Sequence, residues 1–170
     1  MSTTPLIHVV DDDESLRTAL LRLLESAGYE ARGYASTGEF LLHRPDDRPG
    51  CVILDLRLPG PSGLELQGAL RGLEIHLPVI FLTGHGDVAS SVRAMKAGAV
   101  DFLTKPVQRE ALFEAIGRAL ERDARDRADC SQAKALRARF ASLTTREREV
   151  VDCIAAGHLN KEIAHRLDMA

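Results

Sequence analysis

The pattern that most constrains this chain is a set of short apolar runs, each stopping at a polar, chemically capable side chain. The runs sit in HVVDDDE at 8–14, CVILDLRLPG at 51–60 and IFLTG at 80–84, and a shorter one lies in FLTKP at 102–106. Apolar runs of this length fit strands buried on both faces of a parallel sheet. The carboxyl ends of such strands share one edge, and open α/β sheets bind ligands there. That edge then carries an Asp cluster, Asp55, Thr83 and Lys105: carboxylates, a hydroxyl and an ammonium.

Helical patterns fill the gaps between the runs. Leu16, Leu20, Leu23, Leu24 and Ala27 lie at helical spacing after the first strand (6–10), with Asp12 or Asp13 as the cap and Gly28 at the C-terminal end. A weaker edge strand is predicted at 29–34 and a short helix near 36–43, followed by a Pro/Gly loop at 46–50. Further helices are predicted at about 64–71 and 88–97, and a fifth strand at 100–103. Five alternations of strand and helix predict a parallel sheet covered by helices on both faces.

From Val107 to about Phe140 there is no proline and only Gly117 as glycine, which predicts one helix running outward as a solvated spacer. Glu121/Arg125 and Asp123/Arg127 are placed for i,i+4 pairs on a wet surface. A second unit begins near Ser142. Thr144 and Glu147 form a capping box, Val150, Val151 and Ile154 make an apolar face, and Asn160 is expected to cap a second short helix. Two short helices joined by a glycine-containing turn are like the opening of a helix-turn-helix.

Composition excludes several classes. The 170 residues carry a net charge of −3, so the whole chain has no bias towards nucleic acid, and local patches must decide that question. No stretch approaches the roughly 20 apolar residues of a membrane span. No basic segment followed by an apolar one opens the chain. Cys51, Cys130 and Cys153 are scattered, which suggests neither a disulfide framework nor zinc. The expectation is a cytoplasmic protein with reduced thiols.

The strand-tip residues suggest a chemistry. Several carboxylates near one point repel unless a cation joins them. Mg2+ (or Mn2+) suits such a site, because it takes one or two carboxylates and fills its shell with water and phosphate oxygens. Asp55 is then the natural nucleophile for an aspartyl-phosphate. Phosphoryl transfer depends mainly on positioning and charge neutralisation, which Mg2+ and Lys105 supply. Thr83 can donate to a phosphoryl oxygen.

The motifs VVDDD, ILDLRLPGPSG, FLTGHG and AMKAGAVDFLTKP together resemble the receiver domain of two-component response regulators, over about residues 5–122. Residues 143–167 resemble the first part of a LuxR-type helix-turn-helix, in the NarL/FixJ arrangement. The resemblance implies a flavodoxin-like five-stranded sheet in the order 2-1-3-4-5, flanked by five helices. It implies three regions: a receiver (1–122), a helical linker (123–141), and a partial DNA-binding unit (142–170). It makes Asp55 the phosphoacceptor, and it makes Asp11, Asp12 and the Arg57 backbone carbonyl metal ligands with Asp55, Asp12 being the more direct of the acid pair. Thr83 and Phe102 become the switch residues and Lys105 the phosphate-binding cation, its bond to Pro106 cis. His85 and the Arg57 side chain flank the pocket, while His8 reads as a packed strand residue.

The partners implied are a cognate sensor histidine kinase, a second copy on phosphorylation, and DNA through the complete C-terminal domain rather than through these 170 residues alone. No membrane is implied. Lys161 and Arg166 are candidate contacts to DNA phosphates, but base reading belongs to a recognition helix that would follow. The gene product is expected to continue into that helix. A competing reading is a receiver acting as a phosphate sink or protein-interaction switch. A metabolite phosphatase with an Asp nucleophile wants a second acid two residues on, where this chain has Arg57. The chain is therefore not expected to be an enzyme beyond its own phosphorylation and dephosphorylation.

Overall fold

The computed structural model describes residues 4–84 and 88–168. His85, at which a flanking role was expected, lies outside the described residues. Five parallel strands, β1 (Leu6–Val10), β2 (Glu30–Tyr34), β3 (Gly50–Asp55), β4 (Val79–Thr83) and β5 (Asp101–Thr104), form one sheet in the order 2-1-3-4-5. The register places Val10 opposite Leu54, Leu54 opposite Phe81, and Phe81 opposite Phe102. β1, β3 and β4 are buried along their whole lengths, which explains their unbroken apolar sequences.

The intervening helices are α1 (Glu14–Ser26), α2 (Thr37–Leu42), α3 (Gly63–Gly72) and α4 (Val88–Lys96), and α5 (Arg109–Ser142) follows β5. Side chains alternate across the sheet and divide the core in two. Ile7, Val9, Ile53, Ile80 and Leu82 pack with Leu20 and Leu24 of α1 and with Leu112 and Ile116 of α5. Val10, Leu54 and Phe81 pack on the other face with Phe40 of α2, Leu66 of α3 and Ala94 of α4. Each fully buried side chain of this size contributes about 1.5–3 kcal/mol. Asp13, one of the two expected caps, closes α1 by accepting from the N–H groups of Ser15 and Leu16.

His8 is buried, as expected of a packed residue. Its Nδ1 lies 3.1 Å from the Tyr34 hydroxyl, and its ring packs edge-on to Phe40. Burial, helped by Arg32 and Arg48, lowers its pKa to about 4, so it is neutral at pH 7.

The chain divides into two compact units, Met1–Asp126 and Arg127–Ala170, with α5 passing through the division. Two expectations fail in this region. Asp123, read as part of a wet surface, is 1% exposed, and its Oδ2 accepts from the Gly50 N–H at 3.1 Å. The first residue of β3 has no strand partner for that N–H, and a buried backbone donor needs an acceptor. Glu121 and Arg125 do not pair among the described residues; instead Arg122 Nε lies 3.8 Å from Asp126.

The second unit holds the end of α5, then α6 (Thr145–Ala155) and α7 (Asn160–Arg166). The Thr144–Glu147 capping box is present, with the Thr144 N–H donating to Glu147 at 2.7 Å and the Glu147 N–H to Thr144 Oγ1 at 3.2 Å. Asn160 does not cap α7. Leu159 occupies the cap position, and Glu162 accepts from its N–H at 2.9 Å. The helix begins one residue earlier than expected, because an acid three residues on satisfies the first free donor.

Candidate functional site

Parallel pairing brings four strand ends to one edge of the sheet. Asp11 follows β1, Asp55 ends β3, Thr83 ends β4 and Lys105 follows β5. The Lys105 ammonium bridges two of them: Nζ donates to Asp11 Oδ2 at 2.8 Å and to Asp55 Oδ2 at 2.9 Å. The other oxygen of each acid is tied to its own loop. Asp11 Oδ1 accepts from the Asp13 N–H at 2.9 Å, and Asp55 Oδ1 accepts from the Arg57 N–H at 3.0 Å. The Arg17 guanidinium holds the Asp11 carbonyl at 2.6 Å. Both carboxylates are thus fixed in orientation before any ligand arrives.

Burial differs among the acids. Asp11 is 1% exposed and Asp55 7%, whereas Asp12 faces solvent. Carboxylate oxygens of all three lie within 4.8 Å of one another. Three acids this close create a negative site that one ammonium only partly offsets. Desolvation acts most strongly on Lys105 and lowers its pKa, but the hydrogen bonds to Asp11 and Asp55 reverse that and hold it above the ordinary lysine value. Lys105 therefore stays charged through the physiological range.

Thr83 is 1% exposed, and its carbonyl accepts from the Lys105 N–H at 2.7 Å. This bond ties the backbone of Lys105 to the end of β4. The Lys105–Pro106 bond is cis, as the resemblance implied. Phe102 is half-buried and packs against the cluster that includes Phe81 and Ala94. The Arg57 side chain is exposed beside the pocket.

Sequence reasoning missed one residue. Gly63 opens α3 directly against the end of β3: a Cβ there would lie 2.6 Å from the Asp55 carbonyl oxygen and 3.0 Å from Phe81 Cε1. The Ser62–Glu65 capping box fixes the start of α3, with the Ser62 N–H donating to Glu65 at 2.6 Å. The sequence carried a signal, since Ser-Gly followed by Glu marks a helix start, but nothing in it shows what the glycine faces.

In the second unit Lys161 is exposed on α7, and Arg166 donates to His158 Nε2 at 3.0 Å. Cys153 and Ile163 supply its buried contacts, while Val151, Ile154 and Leu159 are exposed.

Residues 7–117 match the response regulator receiver domain family, and residues 141–170 match the bacterial regulatory proteins of the luxR family. The transcriptional regulatory protein FixJ of Rhizobium meliloti is 44% identical over 164 residues, covering 96% of this chain and 80% of that protein. The chain belongs to the response regulators. Nodulation protein W of Bradyrhizobium diazoefficiens, 43% identical over 169 residues, covers 99% of this response regulator and is itself covered to 74%. Among solved structures, the response regulator StyR superposes with a TM-score of 0.85 at 43% identity, covering 99% of this chain and 85% of that one. Full-length FixJ from B. japonicum gives 0.68 at 39% identity, covering 99% and 83%. The receiver fold and the LuxR-type unit after it are therefore those of a FixJ-like transcriptional regulator.

The acidic end of the response regulator's sheet is compatible with a divalent cation. The donors are the carboxylate oxygens of Asp11, Asp12 and Asp55, and hard ions such as Mg2+ take oxygen ligands of this kind. Among the described residues no helix is long and apolar enough to cross a membrane.

Proposed function

We propose that this response regulator accepts a phosphoryl group on Asp55 from a cognate sensor histidine kinase, in a Mg2+-dependent reaction. The modification then controls dimerisation and transcription through the LuxR-type unit. The observation that carries the proposal is the Lys105 ammonium held between Asp11 and Asp55 at 2.8 and 2.9 Å, beside the exposed Asp12. We assign the receiver to residues 1–122, the linker helix to 123–141 and the opening of the DNA-binding unit to 142–170, with the receiver's packing running on to Asp123. Control of transcription places the protein in the compartment that holds DNA, the cytoplasm.

A carboxylate oxygen of Asp55 forms the new bond to phosphorus as the donor's bond to phosphorus breaks. The hydrogen bond from the Arg57 N–H keeps that carboxylate from rotating, which favours in-line approach. Asp11, Asp12, Asp55 and the Arg57 carbonyl would hold the metal ion, which supplies neutralising charge for the phosphoryl oxygens. Lys105 exchanges one carboxylate contact for a phosphoryl oxygen, and the Thr83 hydroxyl donates to another. Drawing Thr83 inward lets Phe102 follow, a local charge change biasing a packed element. The exposed Val88, Val92 and Met95 of α4 support a second copy as the partner of the altered face.

Labelling with acetyl phosphate and Mg2+ tests the reading. The wild type should acquire one phosphoryl group, not acquired when the metal is chelated beforehand and absent in Asp55→Asn, and a beryllofluoride mimic should shift the wild type to a dimer in size-exclusion chromatography. Equal labelling of Asp55→Asn would overturn the assignment.

A further inference from the structure

The charges of α5 are not mixed along its length. Up to Asp129 acids and bases alternate, and Arg122 and Asp126 approach to 3.8 Å. From Cys130 to Arg146 the chain carries Lys134, Arg137, Arg139 and Arg146 and no acid at all. Every residue from Ala128 to Ser142 is exposed. Arg146 pairs with Glu149 at 3.1 Å, but among the described residues no carboxylate pairs with Lys134, Arg137 or Arg139.

Ordinary helix stability does not account for these cations. A base in the last turn is favoured by the helix dipole, and Arg139 lies there. The dipole effect fades within one turn, so it does not reach Lys134. Lys134 and Arg137 are i,i+3 neighbours of like sign, which slightly destabilises a helix. Nor do they shield a core: the contacts this stretch makes, Arg148 over the Phe140 ring at 5.7 Å and Arg148 to the Ala141 carbonyl at 2.9 Å, involve neither Lys134 nor Arg137. What remains is a short row of two un-neutralised cations on one face, Lys134 and Arg137, about 60° apart and separated by roughly 4.5 Å along the axis (1.5 Å per residue), with Arg139 about 140° round the helix from Lys134. The row leads directly into the LuxR-type unit and lies with it in one compact body, Arg127–Ala170. Duplex DNA presents one phosphate per about 3.4 Å of each strand, a complementary array of fixed negative charge.

We infer that the C-terminal half of α5 is a phosphate-contacting arm: Lys134 and Arg137 touch the DNA backbone beside the segment bound by the LuxR-type unit. The inference rests on the reading of that unit as DNA-binding. The arm supplies affinity and position without sequence preference, because backbone contacts carry no base information. It widens the footprint of a unit whose own candidates are Lys161 and Arg166.

The test is fluorescence anisotropy of the 170-residue chain on a labelled duplex of arbitrary sequence across a salt series. Lys134→Gln/Arg137→Gln is compared with Lys161→Gln/Arg166→Gln and with a Lys134→Arg control that keeps the charge. The arm variant should bind about fivefold more weakly at low salt, with a log–log salt slope shallower by about 2, and Lys134→Arg should bind as wild type. Helical circular dichroism should not change. If the arm variant matches wild type while Lys161→Gln/Arg166→Gln loses affinity, the arm is overturned and the DNA-binding reading stands. If neither variant changes affinity, the arm falls together with the phosphate contacts of Lys161 and Arg166, and a wild type that binds no duplex at low salt overturns the arm on its own.

Discussion

Gly63 stands against the backbone of Asp55: a β-carbon at position 63 would come within 2.6 Å of the Asp55 carbonyl oxygen. Backbone on one side and the Phe81 ring on the other leave no flexible group to yield. Gly63→Ala should therefore destabilise the protein by about 1–3 kcal/mol, the usual cost of forcing extra volume into a packed site. It should also slow phosphoryl labelling, since α3 must move off the end of β3. Gly68→Ala, on the same helix with nothing within 4 Å of its added carbon, should stabilise by about 0.5–1 kcal/mol. Urea denaturation of both variants, with labelling rates, checks the pair. A Gly63→Ala protein as stable as wild type would mean that the two elements are not held so closely.

His8 makes stability depend on acid. Its folded-state pKa is lowered from 6.5 to about 4. Between those values the unfolded chain binds a proton that the folded protein refuses, so stability falls as pH drops from about 6.5 towards 4 and levels off below. The total is on the order of 3 kcal/mol, from ~1.36 kcal/mol per pH unit. His8→Phe should lack this part of the acid-induced loss. Comparing urea midpoints of the two proteins at pH 7, 6, 5 and 4 measures it, and parallel curves would refute the assignment.

Asp123 and Asp126 are both acids of α5 and should behave differently. Asp123→Ala leaves the buried Gly50 N–H without its acceptor, a loss of about 1–3 kcal/mol. Asp126→Ala removes only a 3.8 Å exposed pair, a loss below about 1 kcal/mol. Asp123→Asn, which keeps an acceptor oxygen, should fall between. Chemical denaturation at pH 7 ranks the three, and equal effects from the two alanine variants would show that burial does not distinguish the sites.

Much of this molecule was legible in its residues because buried parallel strands leave a plain mark. LIHVV, CVILD and PVIFL are apolar on both faces, and each ends beside an acid or hydroxyl that only a shared edge brings together. Asp11, Asp55, Thr83 and Lys105 follow from that edge. What sequence concealed were contacts between distant segments. Asp123 sits among charges of both signs and looks like its neighbours, and only its meeting with the first residue of β3 marks it as different. Gly63 looks like any turn glycine until the carbonyl above it is known. The Asn160 cap failed for a local reason: Asn is a common cap, but the acid at position 162 satisfied the preceding residue's N–H and drew the helix start back to Leu159.

The lysine wedged between two carboxylates has a further consequence. With each acid already bonded on both oxygens, the pocket is complete before either reactant enters. Arrival of a cation or a phosphoryl donor is then an exchange of partners within a rigid frame, with little conformational entropy left to lose at that moment. A receptacle built this way should favour no particular donor by shape, leaving the choice of kinase to surfaces outside it.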